Sequence, residues 1–137
     1  MYNSVFNELK ERVKKNEGFR SKPYLDSVGV GTIGYGTTWI TEEEGEYLLK
    51  RRLRESVVMI ETYLENEFIS LDDFRIGILS EMTYQLGFKG VLGFKKMWKA
   101  IRNMDYTEAA AQMKDSRWFK QTPVRAGELA LKMERGY

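Results

Sequence analysis

The chain of 137 residues contains no cysteine and no histidine. Without these side chains it cannot form disulfides, thiolate zinc sites or a Ser-His-Asp triad. Acid–base catalysis near neutral pH therefore falls to Asp, Glu, Lys or Tyr. The chain also has only two prolines, and no apolar run approaches the ~20 residues that span a membrane. These absences leave carboxylates as the main candidates for chemistry.

The charge and length of the chain exclude fewer functions than its missing residue types do. The 22 basic and 20 acidic residues give a net charge of +2, and 42% of the residues are hydrophobic, including three Trp, eight Tyr and seven Phe. This length and composition predict one domain with a packed core. Residues 1–15 are charged and amphipathic and lack the apolar segment of a secretion signal. We therefore expect a soluble product made in the cytoplasm.

The most informative segment runs from residue 16 to residue 38. Glu17 falls where an amphipathic first helix should end, and Asp26 follows across a turn. The next stretch, Gly-Thr-Ile-Gly-Tyr-Gly at 31–36, is typical of a hairpin strand whose glycines allow something large to approach the backbone. Two acids on separate elements facing one groove are the arrangement that glycoside hydrolysis uses.

Capping residues predict where the helices begin. The candidate caps are Ser4, Thr41 with Glu44, Ser70 with Asp73, Thr107, and Thr122 before Pro123. The Thr41 helix is predicted to run about 25 residues to Asn66, and the Ser70 helix is predicted to end at Gly87. Together with the hairpin, this pattern indicates an α+β protein that is mostly helical.

Three sequence blocks resemble the phage endolysins of the T4 lysozyme type. They are Glu17-Gly-Phe-Arg through Gly31-Thr-Ile-Gly-Tyr-Gly36, Leu71-Asp72 through Gly90-Val-Leu-Gly-Phe94, and Glu108-Ala-Ala through Ser116-Arg-Trp-Phe-Lys-Gln-Thr-Pro-Val-Arg125. The blocks occur in the family's order over nearly the whole chain. The resemblance implies a single lysozyme-like domain, residues 1–137. The long helix would join a small hairpin lobe at about 17–40 to a helical lobe, which consists of residues from about 66 to 137 together with the N-terminal helix.

The resemblance also implies a muramidase that cuts the β-1,4 bond between N-acetylmuramic acid and N-acetylglucosamine. Glu17 matches the family's general acid, Asp26 its second carboxylate, and Thr32 the threonine beside the attacking water. Arg125 matches the arginine that pairs with the catalytic glutamate. The further implied positions are Gln85 in catalytic support and Tyr84, Gly87 and Thr122 in substrate binding. No cofactor or metal is expected.

Side-chain chemistry favours an inverting reaction. Thr32 can hold a water but offers no charge, so we expect Asp26 to activate water and the two carboxyl groups to lie farther apart than the ~5–5.5 Å of retaining enzymes. Simpler interpretations stay open: Asp26 can stabilise a turn, Thr32 is an ordinary strand residue, and Gln85 and Tyr84 can serve a core helix. Arg125 is expected to orient Glu17.

One departure from the family is plain. After Gly36 the best-known member has a His and a longer stretch, whereas here Thr37-Thr38-Trp39 leads almost at once into the next helix. We therefore expect a shortened hairpin lobe and fewer sugar contacts. Trp39 could cover the core or face a sugar ring.

Three functions compete at this point. The first is an endolysin, expected to be a monomer, that acts on peptidoglycan glycan strands after a holin-type membrane protein permeabilises the inner membrane. The second is a weakly active or inactive relative that binds glycan or protein. The third, a basic nucleic-acid-binding protein, is disfavoured by the balanced charge. The basic run at 50–54 is either a solvated helix face or a patch for anionic envelope polymers.

Overall fold

The computed structural model describes residues 3–137, and within them the fold is α+β and mostly helical, as the sequence predicts. In chain order the elements are α1 (Asn3–Glu17), β1 (Arg20–Leu25), β2 (Gly31–Gly34), α2 (Glu42–Asn66), α3 (Asp73–Leu86), α4 (Phe88–Leu92), α5 (Lys95–Arg102), α6 (Tyr106–Lys114), α7 (Arg117–Gln121) and α8 (Pro123–Arg135). The short helices α4 and α7 have no counterpart in the sequence prediction. Among residues 3–137, every helix is too short or too polar to traverse a lipid bilayer.

The chain divides into two compact units, and the boundary lies between residues 47 and 48, within α2. The first unit groups α1 with the hairpin, whereas the sequence prediction grouped α1 with the helical lobe. Helix α1 buries none of its residues, and its last residue leads directly into the hairpin. The organisation as one domain stays a prediction.

The hairpin is a two-stranded antiparallel sheet. Tyr24 pairs with Thr32 and Leu25 with Gly31, but the register shifts before Arg20 pairs with Gly34. Because β1 has more residues than β2 over this stretch, the shift is a bulge, which bends a strand. Directly after β2 the chain reverses its direction in a turn.

The predicted capping box at the start of α2 is confirmed. The Thr41 hydroxyl accepts the Glu44 backbone N–H at 3.2 Å, and the Glu44 carboxylate accepts the Thr41 N–H at 2.7 Å. Three glutamates in the first turn add favourable charge at the positive end of the helix dipole. The 25-residue helix is therefore well defined by local sequence.

Two other predicted caps are wrong. Helix α3 is capped by Asp72 rather than Ser70, because the Asp72 carboxylate accepts the Arg75 N–H at 2.9 Å and also binds the Arg75 guanidinium. Helix α6 is capped by Asp105 rather than Thr107, with Glu108 N–H donating to Asp105 at 3.0 Å. In both helices a carboxylate, which is a strong acceptor for the first-turn N–H groups, replaces the predicted hydroxyl.

The hydrophobic core lies in the second unit, where α6 packs against α5 and α8, and α3 contacts α4 and α8. Its buried residues are Ile60, Leu64, Ile78, Leu79, Met82, Val91, Met97, Trp98, Ala100, Ile101, Ala109, Ala110, Met113, Trp118, Ala126, Leu129, Ala130 and Met133. The alanines allow close approach of α6 and α8, while methionine fills the irregular gaps. In the described part of the first unit, by contrast, Thr32 is the one buried residue.

Arg75 links the start of α3 to the end of α8. Its guanidinium donates to the carbonyls of Met133 at 2.6 Å and Glu134 at 3.0 Å, and it stacks over the Tyr106 ring at 3.6 Å. Asp72 neutralises it at 2.8 Å. Burial acts to raise the pKa of the Asp72 carboxyl, but the hydrogen bonds and charge of Arg75 outweigh it and hold that pKa below its usual value.

This interaction predicts an acid-dependent part of the stability. A carboxyl whose pKa is lower in the folded state stabilises the fold above its unfolded pKa of about 3.9, and that contribution is lost as the pH falls through the folded value. Asp72→Asn keeps a capping oxygen but removes the charge. We expect it to reduce the free energy of unfolding by at most about 1 kcal/mol at pH 7, because the pair is partly solvated. Urea titrations at several pH values should show the difference disappear at low pH, and a difference independent of pH would contradict this explanation.

Candidate active site

The Glu17 carboxyl group lies against the hairpin turn in the first unit. A Cβ built on Gly36 would stand 2.6 Å from Glu17 Oε2 and 3.0 Å from its Cδ. Gly36 also has a φ of +80°, which favours glycine. Glycine at position 36 therefore leaves room for the carboxyl group of Glu17, which the sequence predicts to be catalytic. Any larger residue at position 36 would displace that carboxyl group.

The turn that meets Glu17 is held at both of its ends and at its tip. Ile33 and Thr37 exchange backbone hydrogen bonds at 2.8 and 2.9 Å. At the tip, the Tyr35 ring packs 5.3 Å from the Phe19 ring, and Lys14 Nζ lies 5.8 Å from its centre. These contacts join the turn to the end of α1, which carries Glu17 as its last residue.

Asp26 organises the connection between β1 and β2. Its Oδ1 accepts the backbone N–H groups of Val28 at 2.9 Å and Val30 at 2.8 Å. Its own backbone N–H donates to the Val30 carbonyl at 2.9 Å, and its carbonyl accepts from Gly29 at 3.0 Å. The interpretation of Asp26 as a turn-stabilising residue is thus correct, and its catalytic role stays a prediction.

The two roles of Asp26 can be separated by substitution. Asp26→Asn keeps an oxygen that accepts both N–H groups but removes the negative charge. We expect a small change in the free energy of unfolding, below about 1 kcal/mol, with a fall in turnover of about 10²-fold or more. Urea unfolding and release of reducing ends from peptidoglycan would measure the two effects.

Asp26→Ala is the companion variant. It removes the acceptor as well, so we expect it to lose a further ~1–2 kcal/mol of stability. Full turnover by Asp26→Asn would mean that the carboxylate serves the turn alone.

Thr32 lies on β2 opposite Tyr24. Its side chain is 5% exposed, and its hydroxyl donates to the Val30 carbonyl at 2.9 Å. The hydroxyl oxygen keeps lone pairs that can accept a hydrogen bond from a water. The same segment, residues 26–32, therefore carries both residues that are predicted to place the attacking water.

The remaining predicted site residues lie in the second unit. They are Tyr84 and Gln85 on α3, Gly87 after it, Thr122 before α8, and Arg125 on α8. Arg125 donates through Nε and Nη2 to one oxygen of Glu81, at 3.0 and 2.9 Å. The predicted pairing of Arg125 with Glu17 stays a prediction, and Glu81 is the partner that the structure assigns to this arginine.

Gln85 is held by the indole of a core tryptophan. Trp118 is 4% exposed and donates from Nε1 to the Gln85 side-chain oxygen at 3.0 Å. The Trp118 ring also packs edge-on against Phe94, with centroids 6.1 Å apart. Trp118 is thus a packing residue of the core, and Gln85 satisfies its buried N–H.

The three predicted substrate-binding residues, Tyr84, Gly87 and Thr122, have different surroundings. Tyr84 is 45% exposed, and Gly87 adopts a φ of +80° where α3 ends and α4 begins. Thr122 occupies the cap position of α8, but its hydroxyl donates back to the Trp118 carbonyl at 3.1 Å instead of capping the helix. Tyr84 and Gly87 together line a groove of about 400 Å³, whereas Thr122 has a structural contact.

Sequence reasoning missed Gly36 and Glu81 as site residues. Glu81 lies one helical turn before Gln85, so helical spacing alone could have indicated that both side chains share a face. Gly36 was noted as part of a glycine-rich run, but a sequence pattern contains no information on which carboxylate approaches it. Trp39 is 75% exposed, which disfavours the interpretation that it covers the core.

The fold is that of a lysozyme-type glycoside hydrolase. The sequence profile described as phage lysozyme matches residues 14–132, and the chain belongs to this family. The match includes every predicted site residue from Glu17 to Arg125.

Curated relatives agree with this assignment. "Probable T4-type lysozyme 1" of Dictyostelium discoideum is 28% identical over 164 residues, and "Probable T4-type lysozyme 2" of the same organism is 27% identical; both alignments cover 96% of each chain. "Peptidoglycan hydrolase gp36" of Pseudomonas phage phiKMV is 27% identical over 135 residues, matching 89% of this chain and 14% of that longer protein.

The alignments also reveal an internal difference in length. The 164 aligned positions exceed the 137 residues of this chain, although both chains are covered to 96%. The Dictyostelium proteins therefore carry residues within the alignment that this chain lacks. A shortened hairpin lobe stays our prediction for where those residues are missing.

Proposed function

We propose that this protein is an endolysin that hydrolyses the β-1,4 bond between N-acetylmuramic acid and N-acetylglucosamine in bacterial peptidoglycan. The observation that carries the proposal is the family match over residues 14–132, which contains Glu17, Asp26 and Thr32 together. The relative named as a peptidoglycan hydrolase supports the choice of substrate. The position of the Glu17 carboxyl group on the Gly36 turn supports the choice of acid.

In the proposed reaction Glu17 donates a proton to the glycosidic oxygen as the bond to the anomeric carbon breaks. The sugar develops oxocarbenium character, and a water attacks that carbon from the opposite face. Asp26 accepts a proton from this water, while the buried Thr32 hydroxyl orients it. The products are two glycan fragments, one with a new reducing end, and the anomeric configuration is inverted.

The second unit supplies the supporting residues. Arg125, which is ion-paired with Glu81 at 2.9 Å, is proposed to orient the catalytic acid. Gln85, fixed by Trp118 at 3.0 Å, offers its amide N–H groups to a ligand. Tyr84 and Gly87 would contact sugar, the tyrosine through its exposed ring and the glycine through open backbone.

The biological setting follows from the same proposal. The enzyme would accumulate in the host cytoplasm as a monomer and reach the wall when a holin-type membrane protein opens the inner membrane. Cell lysis would then result from cleavage of glycan strands.

The experiment that tests the function is digestion of purified, protein-free sacculi. New reducing ends, with fragments whose masses show cleavage after N-acetylmuramic acid, are the expected result. Proton NMR of the first-formed anomer should show inversion. Release of free peptides or amino groups without reducing ends would overturn the assignment as a muramidase.

A second candidate is a binding relative with little turnover. The internal shortening relative to the Dictyostelium proteins favours it, because lost residues remove possible sugar contacts. Sedimentation of the protein with sacculi that stay intact and release no reducing ends would support this candidate.

A further inference from the structure

A groove of the second unit carries an arginine that the proposed catalytic roles do not use. The groove has a volume of about 400 Å³ and lies between α2 and the junction of α3 and α4. Arg52, Glu55 and Met59 are among the residues that line one side, and Tyr84, Gly87 and Phe88 line the other. Tyr84 and Gly87 are two of the three predicted sugar-binding positions.

The charge of Arg52 is only weakly compensated. Its guanidinium lies 3.8 Å from Glu55, beyond hydrogen-bonding distance, and its side chain is 67% exposed. Glu55 is instead hydrogen-bonded to Arg51 at 3.2 Å. Glu55 also lines the groove and balances the formal charge of Arg52 there. Because Glu55 is hydrogen-bonded to Arg51, the Arg52 N–H groups can bind a second carboxylate.

The opposite side of the groove is open to a ligand. A Cβ built on Gly87 would meet no atom within 4 Å, so the backbone at the α3–α4 junction is accessible. The exposed Tyr84 ring offers an apolar face of the kind that packs on a pyranose ring. A sugar seated on Tyr84 would therefore lie in the same groove as the Arg52 cation.

Peptidoglycan differs from a neutral N-acetylglucosamine polymer because its stem peptides carry free carboxylates, which an arginine can bind. Guanidinium binds carboxylate through paired hydrogen bonds. We propose that Arg52 is a specificity-determining residue that binds a stem-peptide carboxylate in this groove. The inference rests on the proposed function, because it takes peptidoglycan as the substrate.

Helix geometry supplies a matched control. Arg54 is also exposed and lies on the same helix, but residues two apart do not share a face, and Arg54 does not line the groove. Arg52→Gln and Arg54→Gln remove the same charge with the same chemistry. They differ in whether the charge that is removed faces the groove.

The test measures the equilibrium Kd of soluble glycan strands with intact stem peptides, in a Glu17→Gln background that prevents turnover. A second set of strands has its carboxylates converted to neutral amides by carbodiimide coupling. We expect Arg52→Gln to raise Kd about three- to tenfold on the charged strands and to have no effect on the amidated strands. Arg54→Gln should leave Kd unchanged on both, and added salt should reduce the Arg52 effect.

Equal Kd values for Arg52→Gln and Arg54→Gln on charged strands would overturn the inference, and so would an Arg52 effect that persists on amidated strands. The proposed function is judged separately, by the release of reducing ends from sacculi by the native protein. Turnover without an Arg52-dependent Kd refutes the inference alone. An Arg52-dependent Kd without turnover supports the inference and favours the binding relative.

Discussion

Glu17→Gln is expected to abolish most of the release of reducing ends from peptidoglycan. The amide has the size of the carboxyl group but cannot donate the proton that the leaving oxygen requires. Loss of a general acid costs about 10²–10⁴-fold in rate, which corresponds to about 3–5.5 kcal/mol in activation free energy. Because Glu17 is exposed at the end of α1, the free energy of unfolding should change little.

Glu8→Gln is the matched control for this variant. Glu8 lies on the same helix and is exposed, so its substitution removes one carboxylate from α1 while the Lys14 contact with Tyr35 at the turn is left in place. The rate should stay within twofold of the native protein. A Glu17→Gln protein that retains most of its activity would assign the proton donor to another residue.

Gly36→Ala is expected to reduce the rate strongly with a much smaller loss of stability. The added methyl group would stand 2.6 Å from Glu17 Oε2. Because that oxygen is at the end of a flexible side chain, the carboxyl group moves away at little cost to folding. A displacement of about 1 Å in a catalytic group can cost about 10²-fold in rate, so we expect a loss of that order.

Gly34→Ala separates the clash from the backbone strain. Gly34 precedes Gly36 by two residues, has a φ of +67°, and its added methyl group would meet no atom within 4 Å. Both variants should therefore lose about 1–2 kcal/mol of stability from the left-handed conformation. Rates compared at equal folded fraction should fall for Gly36→Ala alone. Equal loss in both variants would indicate a general effect on the hairpin and not displacement of Glu17.

Much of the fold could be predicted from local signals. The Thr41–Glu44 box begins α2 where expected, because both of its hydrogen bonds join residues three apart in sequence. The caps at Asp72 and Asp105 were missed for a different reason. Several residues near each helix start can cap it, and the choice of Asp72 is reinforced by Arg75, which in turn contacts carbonyls at the end of α8. Such a contact spans 58 positions of sequence and has no local signature.

The candidate site likewise has features that the sequence predicts and features that only the tertiary structure shows. The sequence by itself determined the residue types available for catalysis, the family and the order of the carboxylates, because these depend on composition and on motifs of adjacent residues. Tertiary structure alone decided that the Glu17 carboxyl group lies on Gly36, that Glu81 holds Arg125, and that Arg52 shares a groove with Tyr84. Each of these contacts joins residues at least 19 positions apart, and only the packing of one element on another brings such residues within interaction distance.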